Sequence, residues 1–262
     1  MAKLPDTAPA SHWYYPDGKP CHTVECKSRP GEQRNTTIRD ARKLGLYPSV
    51  TTILKVIGKQ SLQDWKVKQA LNIALVTPQK PDEPADKWAK RVVAISNEPM
   101  KEAATIGSNV HDALDKAVGN LPFPADMEPY VNPIYEWIHE NDIVPTKREC
   151  TVTHEAMGYA GTVDLTFTYD KWFGVLDYKT RRGSQSYIED TLQLAAYFVA
   201  VYGERMLPNA ILRNVIISRD NPGEFEVVKV EDPVGAWKAF QGAFALWKYL
   251  KGYDPMGEQE DA

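Results

Sequence analysis

The 262-residue chain is 43% hydrophobic and 25% charged, a globular balance that excludes wholesale disorder. No apolar run approaches the roughly 20 residues that cross a bilayer, and Met1 to Ser11 lacks the apolar stretch of a secretory signal, so a cytoplasmic protein with no membrane partner is expected. The net charge of −4 argues against a nucleic-acid binder until its distribution is read: Asp254, Glu258, Glu260 and Asp261 sit in a tail without Lys or Arg, and the rest of the chain is neutral.

Residues 1 to about 45 hold few apolar runs. Lys27, Arg29, Arg34, Arg39, Arg42 and Lys43 face only Glu32 and Asp40 there, which reads as a solvated, partly ordered basic arm or a phosphate-contacting segment. Tyr47-Pro-Ser-Val-Thr-Thr-Ile-Leu is a helix entrance with Ser49 or Thr51 as cap. A second helix is predicted over residues 61–75, then a proline-rich loop over 76–84. A short helix over 86–95, a longer one over 101–118 and an aromatic-rich one over 130–140 follow.

From Glu149 to Thr180 the chain turns to alternating Thr, Val, Tyr and Phe, the pattern of strands. Residues 189–202 form a helix apolar nearly all round, hence buried. Strands over 211–218 and 224–230 and a closing helix over 234–250 complete the order, which gives an α/β core behind an N-terminal helical section. The expected division is an arm over 1–46, one domain over 47–252 (helical over 47–145, α/β over 146–252) and an acidic tail over 253–262.

The chemistry concentrates in Gly161 to Thr180. A hairpin with its turn at Asp170 and Lys171 pairs residues whose numbers sum to 341, which sets Asp164 opposite Asp177. Val163, Leu165 and Phe167 then share the other face, and Lys179 lies on the face of Asp177. Opposed carboxylates repel each other unless a cation lies between them, and hard oxygen ligands favour Mg²⁺ or Mn²⁺ over zinc. A lysine beside such a cation suits phosphodiester hydrolysis. The alternative is a surface hairpin with solvated acids, which the apolar setting of Asp177 disfavours.

His111 stands one turn after Gly107, whose missing side chain permits another element to approach; it is a candidate third ligand or a structural histidine. Gln193 and Tyr197, four apart on the buried helix, share a face and either reach the site or simply pack. Trp13, Tyr14, Tyr15, Trp65 and Trp88 are candidate base-stacking residues, although most aromatics are core. His12, Cys21, His22 and Cys26 fit no standard zinc spacing, and three cysteines in all fall short of an iron–sulfur cluster. Neither zinc nor such a cluster is expected.

Gly107-x-x-x-His111, Gly161-x-x-Asp164, Asp177-x-Lys179-Thr180 and Gln193-x-x-x-Tyr197 occur in that order. The chain resembles the PD-(D/E)XK nuclease superfamily in its RecB-type exonuclease branch. Pro48-Ser-Val-Thr51 before a Trp65-bearing helix, and Glu149-x-x-Val-x-His-Glu155-x-x-x-Tyr-x-Gly161, bring it nearer the mitochondrial genome-maintenance and phage exonucleases. The resemblance covers residues 47 to 250. It implies a restriction-endonuclease-like core, a mixed central sheet flanked by helices. It also implies a metal-dependent exonuclease that hydrolyses DNA from ends, single-stranded by preference, in phage or bacterial replication, recombination or repair.

Carried over residue by residue, the resemblance makes His111, Asp164, Asp177 and the carbonyl of Tyr178 ligands of Mg²⁺ or Mn²⁺, and Lys179 the catalytic lysine. Gln193 and Tyr197 support the site. Ser49, Thr51 and Thr180 are expected DNA contacts, and so, from their place directly after the strand, are Arg181 and Arg182, which otherwise form a solvated loop. Glu149 falls on an upstream strand glutamate of the family, and the role of Glu155 is open. The implied partners are DNA and a single-strand-binding protein, recombinase or helicase. The rival readings are a nuclease-fold binding module without useful turnover and a structure-specific endonuclease.

Overall fold

The computed structural model describes residues 11–26, 28–58 and 60–257. Lys27 of the basic stretch and Glu258, Glu260 and Asp261 of the acidic tail lie outside the described residues. The N-terminal part runs through β1 (Trp13–Tyr14), β2 (Thr23–Glu25), β3 (Gln33–Asn35), α1 (Ile38–Leu44), β4 (Tyr47–Pro48), α2 (Val50–Leu54), α3 (Gln60–Val76), α4 (Ala85–Val118) and α5 (Glu128–Glu140). Then come β5 (Val144–His154), β6 (Tyr159–Tyr169), β7 (Trp172–Arg181), α6 (Ile188–Tyr202), β8 (Ile211–Ser218), β9 (Phe225–Lys229) and α7 (Pro233–Lys251).

The protein is α/β. Its five-stranded sheet has the order β5-β6-β7-β8-β9 and is mixed: β7 and β8 run parallel and the other neighbours antiparallel. The parallel pair requires a crossover, which α6 provides. Helices flank both faces. On one, Leu194, Ala195 and Phe198 of α6 and Trp237, Phe240 and Phe244 of α7 pack with Val163 and Val175. On the other, Val110 and Leu114 of α4 and Val131 and Ile134 of α5 pack with Leu165, Phe167, Leu176 and Val215.

Two expectations change. The segments 86–95 and 101–118 form one helix of 34 residues that runs through Pro99. A proline removes one helical hydrogen bond. Pro99 is exposed, so the carbonyl it leaves unpaired reaches water, and the helix continues.

The N-terminal segment is also more than a solvated arm. Trp13 is 2% exposed, with its ring 6.1 Å from Trp247 and 6.3 Å from Tyr253. Part of its basic charge is tied up: Arg34 forms a double hydrogen bond with Asp40, which in turn caps α1 with Thr37. Arg42 reaches the carbonyls of Lys251 and Gly252. Apolar residues spaced singly among turns carry no periodic signal, yet Cys21, Ala41 and Leu46 are all in the core. Among the described residues no helix is long and apolar enough to cross a membrane.

Trp13→Ala is expected to cost about 3–5 kcal/mol in urea denaturation, as a buried aromatic truncation does. Trp65→Ala, at a position 37% exposed, is the control and should cost far less. Equal small losses for both would detach the N-terminal segment from the core.

Candidate functional site

The second half of α4, the middles of β5 and β6 and the C-terminal end of β7 line a cavity of about 630 Å³. His111 and Asp115 face it from α4, Glu149 from β5, Asp164 from β6, and Tyr178, Lys179 and Thr180 from β7. The hairpin register is as read from the sequence: every β6–β7 pair from Tyr169↔Trp172 to Leu165↔Leu176 sums to 341. Asp164 and Asp177 lie one step beyond the last of these pairs.

Strand alternation breaks where the site begins. Leu165 and Phe167 pack towards α4 and α5, but Val163, expected on their face, packs towards α6 and α7. The β5–β6 pairs Arg148↔Leu165 and Cys150↔Val163 bracket Glu149 and Asp164. Glu149 has φ +40°, a left-handed conformation that strains a non-glycine strand residue. Both carboxylates line the cavity beside α4.

His111 meets them. Its Nδ1 lies 3.5 Å from Asp164 Oδ2, which also accepts the N–H of Tyr178 at 2.7 Å. The Tyr178 ring stands edge-on to the imidazole at 5.8 Å. One ligand atom each from His111, Glu149 and Asp164 lies within 4.8 Å of the other two. One imidazole nitrogen and two carboxylate oxygens form a mixed donor set, borderline at the nitrogen and hard at the oxygens, that could hold a divalent cation.

Asp177, expected in that set, does not belong to the trio. It is 2% exposed and sits under α6, with Oδ2 2.5 Å from Lys179 Nζ. Gln193 ties this pair together. Its Nε2 donates to Asp177 Oδ1 at 2.9 Å and to the Tyr197 hydroxyl at 3.2 Å, while its Oε1 accepts from Lys179 Nζ at 3.2 Å. The spacing of Gln193 and Tyr197 therefore reflects a shared face that engages the site.

The glycines divide differently from expectation. A Cβ on Gly107 would lie 3.8 Å from Thr180 Cβ, an ordinary contact, so no close approach demands that glycine. A Cβ on Gly161 would lie 2.5 Å from Tyr197 Cε1. The tyrosine ring occupies the space that this glycine leaves.

Charges follow from this packing. Burial opposes the charge on His111, but the hydrogen bond and charge of Asp164, aided by Asp177, outweigh it and raise the imidazole pKa. Burial likewise opposes the Asp164 carboxylate, and His111 and Lys179 overcome it and lower its pKa. Burial pushes Asp177 upward against the pull of Lys179. Glu149 is exposed at the cavity, yet the walls around its carboxyl and the nearby charge of Asp164 push it up to about 7.

The expected DNA contacts scatter. Ser49 is buried at 2% exposure, and its oxygen caps α2 by accepting from Thr52 N. Thr51 is exposed and bonds Ser49 through its hydroxyl at 3.0 Å. Thr180 lines the cavity, with a buried hydroxyl that has no partner among the described residues. Arg181 donates to Asp190 at 2.7 Å and lies over the Tyr187 ring, whereas Arg182 is largely exposed and pairs with Asp220 at 2.8 Å. Glu155 is exposed in the turn between β5 and β6.

Of the stacking candidates, Trp13 and Tyr14 are buried and Trp88 donates to the Thr77 carbonyl at 2.7 Å. Tyr15 and Trp65 are the more exposed. His12 and His22 stack at 4.6 Å, and His22 Nδ1 accepts the N–H of Trp13. The member of the trio not among the expected ligands is Glu149. Its only sequence signal was the resemblance to a strand glutamate, because a positive φ in a strand leaves no mark in composition.

No family model and no curated protein matches this chain. Among solved structures, the crystal structure of SSO0001 is similar at 12% identity, over 75% of this chain and 89% of that chain, with a TM-score of 0.37. At that distance the likeness carries no argument.

Gly161→Ala should cost about 1–3 kcal/mol by overpacking against Tyr197. Tyr197→Leu added to Gly161→Ala should recover part of that loss in urea denaturation, whereas strictly additive costs would deny the interlock. For a cation to bind, His111 and Glu149 must both release protons. Calorimetry should therefore find Mn²⁺ affinity at least about tenfold weaker at pH 6 than at pH 8. Glu149→Gln should flatten that dependence.

Proposed function

We propose that this chain is a metal-dependent deoxyribonuclease with a restriction-endonuclease-like core, hydrolysing phosphodiester bonds from DNA ends. The observation that carries the reading is a juxtaposition. A His, Glu and Asp trio of cation-ligating geometry adjoins a lysine that is charge-paired and hydrogen-bonded at the same cavity. The order of the four sequence motifs supports it independently.

A divalent cation on His111, Glu149 and Asp164 would neutralise charge on the scissile phosphate and acidify the attacking water. The chain's own residues do the rest. Burial opposes the Lys179 ammonium, but Asp177 and Asp164 outweigh it and raise its pKa, so it stays protonated at neutral pH. It is a fixed positive charge for a phosphoryl oxygen, not a base. Gln193 holds both ends of the Lys179–Asp177 pair, and Tyr197 fixes Gln193. Exposed Arg182, beyond the end of β7, is the side chain best placed to follow a DNA backbone away from the cavity. Action at ends, a preference for single strands, and service beside a single-strand-binding protein, recombinase or helicase come from the motif resemblance.

End-labelled single- and double-stranded DNA, linear and closed-circular, tests this reading. Short products should appear from linear DNA with Mg²⁺ or Mn²⁺ and stop with chelator. Lys179→Ala should slow release about 10²-fold or more. Unchanged turnover in that variant would remove the catalytic assignment, and cleavage of closed circles would replace end-directed action with endonuclease action.

A further inference from the structure

Gly107 is the motif residue whose purpose the packing leaves open. It stands inside α4, far from either end of the helix. Glycine is the poorest helix former after proline, because it gives up the most backbone freedom on folding and brings no side chain to pack. Nothing in the protein repays that loss. A Cβ on Gly107 would lie 3.8 Å from Thr180 Cβ, an ordinary contact, and would meet no other atom of the described residues within 4 Å. An alanine would fit there and would hold the helix better. Gly242 of α7 is equally unconstrained, but it lies on the exposed surface, whereas Gly107 lines the cavity.

The cavity has two unlike halves. In one, His111, Glu149 and Asp164 bring a nitrogen and two carboxylates together. One turn back on the same face of α4, about 6 Å along the axis, the lining is Ala103, Ala104, Gly107 and Ser108. Of these only Ser108 carries a polar side-chain atom, and its hydroxyl donates back to the Ala104 carbonyl at 3.1 Å. Tyr178 and Thr180 line the same cavity from β7. Tyr178 is 3% exposed, and the hydroxyls of both residues are buried without a partner among the described residues. A buried hydroxyl left unbonded is costly, and a ligand oxygen in the cavity is the partner that the fold does not supply. The two halves match the two parts of a nucleotide. A phosphodiester belongs beside the trio, and the nucleoside that it carries needs uncharged room next to it.

We infer that Gly107 is a specificity-determining residue, whose bare backbone leaves room for the sugar of the nucleotide next to the phosphate held at His111, Glu149 and Asp164. The inference rests on the nuclease reading for the class of ligand, and on the packing for the clearance. A side chain at this position closes against Thr180 and takes that room. Gly107 itself touches no cation and moves no proton.

Gly107→Ala and Gly107→Val test this, with Gly242→Ala as the control. The first probe is a single-stranded phosphorothioate tetranucleotide, which resists hydrolysis, titrated by calorimetry with Mn²⁺ present. Inorganic phosphate is the second probe, since it lacks a nucleoside. Both alanine variants should raise the urea midpoint, because each replaces a glycine inside a helix. Gly107→Ala should weaken tetranucleotide binding about tenfold, the scale of one methylene in a binding pocket, and Gly107→Val should weaken it further. Inorganic phosphate and Mn²⁺ should bind every variant as they bind the parent, and Gly242→Ala should leave all affinities unchanged. Unchanged tetranucleotide affinity in both Gly107 variants, a lowered urea midpoint in Gly107→Ala, or an equal loss for inorganic phosphate overturns the assignment. So does a parent with no affinity for the tetranucleotide. Binding is read apart from turnover. A parent that binds the tetranucleotide but hydrolyses no DNA ends the nuclease reading and leaves this inference intact, whereas a parent that hydrolyses DNA, with Gly107 variants that bind as it does, gives the reverse.

Discussion

An aspartate and a lysine two residues apart on one buried strand face set the terms for the rest of the structure. Taking either charge out of water costs several kcal/mol after relaxation, and their mutual attraction repays this only with good geometry and further hydrogen bonds. Asp177 and Lys179 meet at 2.5 Å, and Gln193 bonds both. That requirement dictates a glutamine on α6, then a tyrosine one turn later to fix it. It dictates a glycine at 161 to admit the tyrosine ring. Three of the four motifs are therefore one packing unit, read from three places in the chain.

The fourth motif arrives from the opposite face. α4 brings His111 against β6 and β7, and Arg148 of β5 fastens the end of that helix through Asp115. The sheet thus separates two functions. Its α6 face carries the charge-paired lysine, and its α4 face carries the His111, Glu149 and Asp164 trio. Asp164 passes between them only because alternation fails at Val163 to Leu165.

Much of this was legible in the sequence. The hairpin register followed from one turn and the period of two, and the strands and most helices followed from periodicity. The pairing of Gln193 with Tyr197 was visible as spacing, though not its cause. What stayed hidden has physical reasons. Proline predicts a break only where its carbonyl partner cannot find water, and at Pro99 it can. Isolated core residues such as Trp13 and Leu46 make no pattern, because their partners, Trp247 and Tyr253 among them, lie two hundred residues away. Glu149 joins His111 and Asp164 through one backbone dihedral.

The length of α4 has a mechanical consequence. Its last two turns are clamped in the core by Val110, Ala113, Leu114 and Ala117, while its first half buries only Val92 and Ser96 and packs beside α3. From Ala85 to Val110 the rod spans about 38 Å at 1.5 Å per residue. A tilt of about 5° around the clamp would sweep the far end by ~3 Å yet shift His111, one residue from the pivot, by a small fraction of that. His111 therefore sits beside the fixed end of the helix, so a movement of the far end leaves the position of the imidazole nearly unchanged.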